Sequence, residues 1–131
     1  MQSAQEFIEC FLREQADLNK ASRARLRPFR EKFFAQDYLK FYQDWEAVCE
    51  KNEEKFSMAE VYDESAQIIT TSMIGKRQQR YRYHLRVSAG QWKIFKRENE
   101  CFACRGGSRG SNETCPVCGG AGWRDYLREA A

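Results

Sequence analysis

The spacing of the apolar residues divides the chain into a helical first half and a β-rich second half. Near the amino terminus, apolar residues recur at the three- and four-residue spacing of one helical face, and Ser3 stands three residues before Glu6, as in a capping box. Pro28 fits the first turn of a second helix, because its missing amide donor is not needed there. Asp37 fits the N-cap of a third helix, whose end is predicted to be solvated over residues 51–55. The predicted apolar faces are Phe7, Ile8, Phe11 and Leu12, then Phe29, Phe33 and Phe34, then Phe41, Trp45, Val48 and Cys49.

The second half of the chain alternates polar and apolar residues, which is the period of strands that bury one face. Helices followed by such strands predict an α+β fold, in which the helices pack on one face of a curved antiparallel sheet. Strands are predicted over 59–65, where the strand runs into a turn, and over 66–74, 79–87 and 91–97, with a turn at 88–90.

The order of these elements, ending in YRYHLRVSAGQWKIFK, resembles the nuclear transport factor two-like superfamily, which includes cystatin-like and SnoaL-like domains. The resemblance covers about residues 1–97 and implies a cone, in which a curved sheet wraps a helix around an apolar pocket. Members of the superfamily include enzymes, small-ligand binders and protein-binding modules, and relatives often pair through the outer sheet surface. The fold therefore does not select one function. Side chains expected to line such a pocket are Tyr42, Tyr62, Tyr81, Tyr83 and Trp92.

Basic residues concentrate in the last two long strands. Eight Lys or Arg and no acidic residue fall between positions 76 and 97, whereas the whole chain has a net charge of +3. Such a face is a candidate surface for nucleic acid, another polyanion or a protein partner, because cations attract phosphates and an aromatic ring can stack on a base. Strand alternation predicts one face made of Arg80, Arg82, Arg86, Lys93, Phe95 and Arg97.

Two other interpretations of the basic face are open. The arginines would pair with acids of a neighbouring strand, such as Glu60 or Asp63, or the face would join two copies in a homodimer. Glu98 and Glu100 follow the basic strand directly and are expected to screen it. His84 falls among the arginines and is expected to be exposed rather than catalytic.

Four of the six cysteines stand in two Cys-x-x-Cys pairs near the carboxyl end, and these are Cys101, Cys104, Cys115 and Cys118. Two residues between cysteines let both sulfurs of a tight turn point at one ion, so two pairs provide a closed tetrahedral zinc site. Disulfides are a weaker alternative, because the amino terminus lacks the basic and apolar blocks of a signal peptide. A redox-active pair is another, but the neighbouring glycines disfavour the helix that such a pair opens. The remaining Cys10 and Cys49 fall on apolar helical faces and are expected to be buried.

The cysteine segment resembles the zinc region of DnaJ-type chaperones over residues 101–122. Its second pair completes a CxxCxGxG repeat, whereas Ser108 replaces the last glycine in the first repeat. The resemblance implies a compact zinc knuckle. Chaperone activity is not implied, because the chain has two such repeats and His84 is followed by Leu85, so that the HPD sequence of a J-domain is missing.

These patterns predict two parts, an α+β domain over 1–100 and a zinc knuckle with a tail over 101–131. No nucleophile elbow, phosphate loop or dinucleotide fingerprint is present, and no catalytic residue is assigned. We therefore expect a cytoplasmic, non-catalytic binding or adaptor protein with one structural zinc ion, without a membrane span. Its partner would be a protein, a second copy or a nucleic acid. The alternative is a small-molecule enzyme or ligand binder that uses the cone pocket.

Overall fold

The computed structural model describes residues 2–18, 26–39, 54–74, 76–100 and 122–124. Helices precede an antiparallel sheet in which neighbouring strands follow chain order, β1-β2-β3-β4-β5. The predicted α+β class is confirmed, and the arrangement is compatible with a cone-like fold. None of the described helices is long and apolar enough to span a membrane. The elements are α1 (Ala4–Leu18), α2 (Leu26–Phe33), α3 (Gln36–Leu39), β1 (Lys55–Val61), β2 (Ser65–Ile74), β3 (Arg77–Ser88), β4 (Gln91–Glu100) and β5 (Trp123–Arg124).

The start of α1 follows the capping pattern in the sequence. The Glu6 amide donates to the Ser3 hydroxyl oxygen at 3.1 Å, which satisfies one of the amides that a helix leaves unpaired at its first turn. Ile8 and Phe11 are fully buried against the sheet. The predicted cap and apolar face of this helix are confirmed.

After α2 the chain joins the edge of the sheet. Phe34 forms a parallel bridge with Ile94, and the Ala35 amide donates to the Ile94 carbonyl at 2.8 Å. Asp37 lies inside α3 and not at its start, so the predicted N-cap is misplaced. The rest of the predicted third helix, with Phe41, Trp45, Val48 and Cys49, lies outside the described residues.

A two-residue turn joins β3 to β4. Ala89 and Gly90 both have positive φ, at 52° and 77°, and lie between the paired residues Ser88 and Gln91. Two positive φ values are typical of a type I′ turn, whose twist matches that of the flanking strands. The turn predicted at 88–90 is confirmed, and it fixes the register in which β3 and β4 leave the turn.

Aromatic rings fill the space between the helices and the sheet. The ring of Phe11 stacks on Phe29 with centroids 5.4 Å apart and meets three further rings edge-on, at 5.4 to 5.6 Å. The three further rings are Phe33, Phe34 and Tyr83, so this cluster joins both helices to the centre of the sheet.

A β-bulge in β4 changes which side chains face the core. Phe95 and Lys96 together oppose the single residue His84, because the register shifts between His84 and Leu85. Beyond the bulge, Arg97 opposes Tyr83 on the core face, and Glu98 takes the outward position. The prediction that Arg97 shares a face with the other arginines is therefore wrong, since it assumed uninterrupted alternation.

Candidate functional site

The sheet surface that faces away from the helices, here the outer face, carries paired charges. Arg82 Nε donates to Glu98 Oε1 at 2.8 Å, and Arg80 is paired with Glu100. His84 Nε2 also lies within hydrogen-bonding distance of Glu98 Oε1. These arginines are thus screened by the acids that follow the basic strand, as the sequence predicts.

Glu98 is the centre of this charge cluster. Burial by itself raises the pKa of its carboxyl group, but hydrogen bonds from His84 and Arg82, with the charge of Arg82, outweigh burial and lower the pKa to about 2. The Lys96 ammonium adds a further positive charge at 3.6 Å. Glu98 therefore stays ionised at neutral pH and neutralises much of the positive field of its neighbours.

The predicted basic surface is divided by the fold. Arg86 is exposed, with its guanidinium carbon 4.3 Å from the centroid of the Phe95 ring. The Lys93 ammonium donates to the carbonyl oxygens of Glu31 at 3.2 Å and Lys32 at 2.7 Å, at the end of α2. Desolvation lowers the pKa of Lys93. Its charge stabilises a helix end, where cations interact favourably with the terminal carbonyls.

Trp123 adds an aromatic ring to the outer face. Its backbone pairs with Glu100 through β5, and the guanidinium carbons of Arg82 and Arg80 lie 4.7 and 5.4 Å from the ring centroid. The outer face thus combines an aromatic residue with ion-paired arginines.

Exposed methionines extend the outer face toward β1. Met58 opposes Ile69, which opposes Arg82, so these three residues share a face. Met73 follows the buried Ser72 and points outward. The Met58 and Met73 residues are 50% and 54% exposed, so they add apolar surface to the charged outer face.

The core face contains an ion pair that sequence reasoning missed. Arg97 Nη2 donates to Glu54 Oε1 at 3.0 Å, and both side chains are only 4% exposed. Thr70 Oγ1 and the Tyr83 hydroxyl donate to Glu54 Oε2, at 2.8 and 2.6 Å, and Gln15 Nε2 donates to Oε1 at 3.1 Å. The prediction that 51–55 is a solvated helix end is thus wrong at Glu54, which directly precedes β1.

The same guanidinium holds Tyr83 and Tyr81. Arg97 Nε donates to the Tyr83 hydroxyl oxygen at 3.0 Å, and its guanidinium carbon lies 4.3 Å from the centroid of the Tyr81 ring. Burial raises the pKa of Tyr83 well above its ordinary value, and the opposing effect of Arg97 does not offset it. Tyr83 is therefore a neutral phenol that both donates and accepts a hydrogen bond.

The described residues among those predicted to line a pocket do not gather around one open space. Tyr81 and Tyr83 are fully buried in packed surroundings, whereas Tyr62 is 56% exposed beyond the end of β1. Tyr42 lies outside the described residues. The placement of Tyr62 in the interior is therefore wrong, because the residue falls at the β1–β2 turn.

A shallow groove with a volume of about 520 Å³ lies beside the β3–β4 turn. Phe7, Phe33 and Trp92 form its apolar wall, while Cys10 and Lys32 also line it. The Lys32 ammonium is paired with Glu14 at 2.8 Å, and the hydrogen bond from that pairing raises the pKa of Lys32. Cys10 is half-buried, so it is less buried than the sequence predicts.

The four predicted zinc ligands, Cys101, Cys104, Cys115 and Cys118, lie outside the described residues. Within the described ranges, no group of three or more His, Cys, Asp or Glu side chains could hold a metal ion. The structure does describe both ends of the cysteine segment, since Glu100 pairs with Trp123. Paired antiparallel residues have Cα atoms about 4.5–5.5 Å apart, so the segment leaves and rejoins β4 at one place.

No family model, curated protein or solved structure matches the chain significantly.

Proposed function

We propose that this protein is a non-catalytic binding or adaptor module, which contacts a protein partner through the outer face of its sheet and holds one structural zinc ion. The observation that carries the non-catalytic part is the filling of the space between the helices and the sheet by the rings around Phe11. A ligand site needs a concave space with converging polar groups. In the described part of the interior, Glu54 and Arg97 bind each other, and Thr70, Tyr83 and Gln15 complete the hydrogen bonds of Glu54.

The chemistry of the outer face favours a protein over a nucleic acid. Binding of a polyanion needs cations that are free to replace counterions, but Arg80 and Arg82 are paired with acids. Protein interfaces are enriched in aromatic residues, Met and Arg. Trp123, Met58 and Met73 supply that composition beside the paired arginines.

Capture experiments with the full chain test the partner surface. We expect proteins that bind the wild-type chain to be lost with Met73→Lys, which changes the outer face, and retained with Gln5→Lys, which changes an exposed position of α1. Equal capture by both variants would contradict the proposal. A gel shift of tRNA or single-stranded DNA at low salt that disappears at high salt would instead favour the polyanion alternative.

The zinc part of the proposal is supported by the closure of the cysteine segment at β5. Pairing between Glu100 and Trp123 brings the ends of this segment together, which lowers the entropy that its four thiols lose when they gather around one ion. Cys101 directly follows the paired Glu100, and Cys118 lies five residues before Trp123. When bound, zinc would be held by the four thiolates in a closed tetrahedral site, which suits a structural role. A reducing cytoplasm would keep these thiols available.

Native mass spectrometry tests the zinc site directly. We expect one zinc ion per chain, retained in Cys10→Ser and lost in Cys115→Ser, because only the second substitution removes a proposed ligand. Strong chelation is expected to expose the amides after residue 100 to hydrogen exchange before those of α1. A chain without zinc that carries two disulfides would refute the metal site.

A small-ligand binder is the second candidate, and the groove at Trp92 is the observation that favours it. Its volume falls in the range of ligand sites, about 300–1,000 Å³. Binding of an apolar fluorescent probe that protects Cys10 from alkylation would support this function, and Cys10→Trp would be expected to abolish the binding by filling the groove.

A further inference from the structure

Strand β1 forms one edge of the sheet. It pairs with β2 on one side, and no other strand of the described part of the chain pairs with its free side. An unpaired edge presents backbone donors and acceptors that can add another strand. The position of these groups follows from the hydrogen bonds at the adjoining turn.

The free edge can be assigned residue by residue. The Tyr62 amide donates to the Ser65 carbonyl at 2.8 Å, so this pair is hydrogen-bonded. Alternate pairs of an antiparallel ladder share this state, and the intervening residues point their backbone groups away. Ala59 and Val61 therefore direct their amides and carbonyls to the free edge. The bulge between Phe56 and Met58 preserves the alternation, so Phe56 does the same.

Exposed apolar residues gather at this edge. Of the four large apolar residues that are exposed in the described part of the chain, Met58, Val61 and Tyr62 lie on β1 or directly after it, at 50%, 58% and 56% exposure. The fourth, Met73, lies on the outer face. The edge therefore offers apolar surface as well as backbone hydrogen-bonding groups.

The charges of β1 are complementary to their own two-fold copy. Lys55 opposes Thr71, and Glu60 opposes Gln67, so both charged residues lie on the outer face although they are five positions apart. The bulge makes this arrangement possible, because it adds one residue between them. Glu60 Oε2 also accepts a hydrogen bond from the Tyr62 hydroxyl at 2.9 Å, which holds the carboxylate at the edge.

We propose that a second copy of this chain pairs with β1 in an antiparallel strand addition, about a two-fold axis between Ser57 and Met58. Lys55 then opposes Glu60 of the second copy, and the same pair recurs on the other side of the axis. Phe56 opposes Ala59 of the second copy, and both residues direct their backbone amides and carbonyls to the free edge. A register centred on Met58 would instead place Lys55 opposite Val61 and the charged Glu60 opposite Phe56.

This dimer joins two sheets edge to edge. It leaves the outer face open and involves neither zinc nor the cysteine segment, so it is independent of the proposed function. Charged residues on an edge strand discourage pairing with unrelated strands. Here they also select the register in which the second copy binds, since like charges directly opposite each other destabilise a strand pair.

Sedimentation equilibrium of the full, zinc-loaded chain over a range of concentrations tests the dimer. The wild-type chain should approach twice the 15.5 kDa mass of one chain. Lys55→Glu and Glu60→Lys should each weaken the dimer by about tenfold or more, because each substitution places like charges opposite each other at both symmetry-related positions. The double variant that carries both substitutions should restore dimerisation, since the charges are then exchanged.

Two further variants make the result decisive. Ala59→Pro removes an amide that points to the free edge and leaves the hydrogen bonds to β2 intact. It should weaken the dimer, while circular dichroism shows that the fold is retained. Met73→Lys changes the outer face and should leave dimerisation unchanged. A monomer at all concentrations, a double variant as weak as the single ones, or a dimer lost only in Met73→Lys would overturn the proposal.

Discussion

Replacing Arg97 by Met tests the buried ion pair most directly. The substitution keeps an unbranched side chain of similar length but removes three polar contacts, at 3.0 Å to Glu54, 3.0 Å to Tyr83 and 3.4 Å to Asn99. It also leaves the Glu54 carboxylate without its cation in surroundings where the side chain is only 4% exposed.

The size of the expected effect follows from that burial. Breaking a buried ion pair by removing one partner costs about 3–5 kcal/mol, because the remaining charge stays desolvated. Thr70, Tyr83 and Gln15 still donate to Glu54 in the variant and partly solvate it. We therefore expect Arg97→Met to lower the free energy of unfolding by about 3 kcal/mol, at the lower end of that range.

A double-mutant cycle separates the pair from the other contacts of each residue. Glu54→Gln keeps the shape of the side chain and one of its two acceptor oxygens, and it should cost about 2 kcal/mol, since it leaves the cation unpaired. The double variant should cost about 3 kcal/mol, which corresponds to a coupling of about 2 kcal/mol between the two residues. Urea unfolding followed by circular dichroism in zinc-containing buffer gives all four values.

Arg86→Met is the matched control for this cycle. It makes the same substitution on the same sheet, at an exposed arginine that lies over Phe95, and it should cost less than about 1 kcal/mol. The buried pair would not stabilise the fold if Arg97→Met lowered the free energy of unfolding no more than Arg86→Met does. The same would follow if the effects of Arg97→Met and Glu54→Gln simply added in the double variant.

Three further predictions concern local contacts. The pKa of Glu98 falls from 4.5 to about 2 on folding, so acidification through this window should lower the free energy of unfolding by about 2 kcal/mol after solvent screening. Glu98→Gln should flatten this part of the pH profile; an unchanged profile would contradict the cluster. Ser3→Ala should cost about 1 kcal/mol in thermal melts and Ser3→Asp almost nothing; equal losses would exclude the cap. Ala89→Asn suits φ of 52° and should stabilise by about 0.5–1 kcal/mol, whereas Ala89→Val should destabilise; the reverse order would exclude a type I′ turn.

Local sequence signals predicted the elements that depend on local physics. Ser3 caps α1 because Glu6 follows three residues later, which is the spacing at which a side-chain hydroxyl reaches a free amide of the first helical turn. The alternation of Tyr81 and Tyr83 with Arg80 and Arg82 marks a strand with one buried face, and β3 has that arrangement. The acids that screen these arginines, Glu98 and Glu100, lie 16 and 20 positions further along the chain, and the pairing of β3 with β4 brings them together.

The tertiary structure decided the placement of residues beyond the bulge in β4. A bulge adds one residue that no periodic pattern reveals, so Arg97 turns inward and Glu98 turns outward. The partner of Arg97 is Glu54, which is 43 positions away and belongs to a charged run that is typical of solvent-exposed sequence. No neighbouring residue in the sequence marks this glutamate as buried, because its burial depends on contacts with Arg97, Thr70 and Tyr83, which come from other strands.

The same division applies to the surfaces. The sequence alone determined the number and spacing of the cysteines, the cap of α1 and the period of the strands, since each depends on residues only a few positions apart. Only the fold decided that Glu100 meets Trp123, that Lys93 binds the end of α2, and that Met58 and Val61 lie at a free edge. Those contacts join distant segments, and their formation depends on how the sheet twists, bulges and ends.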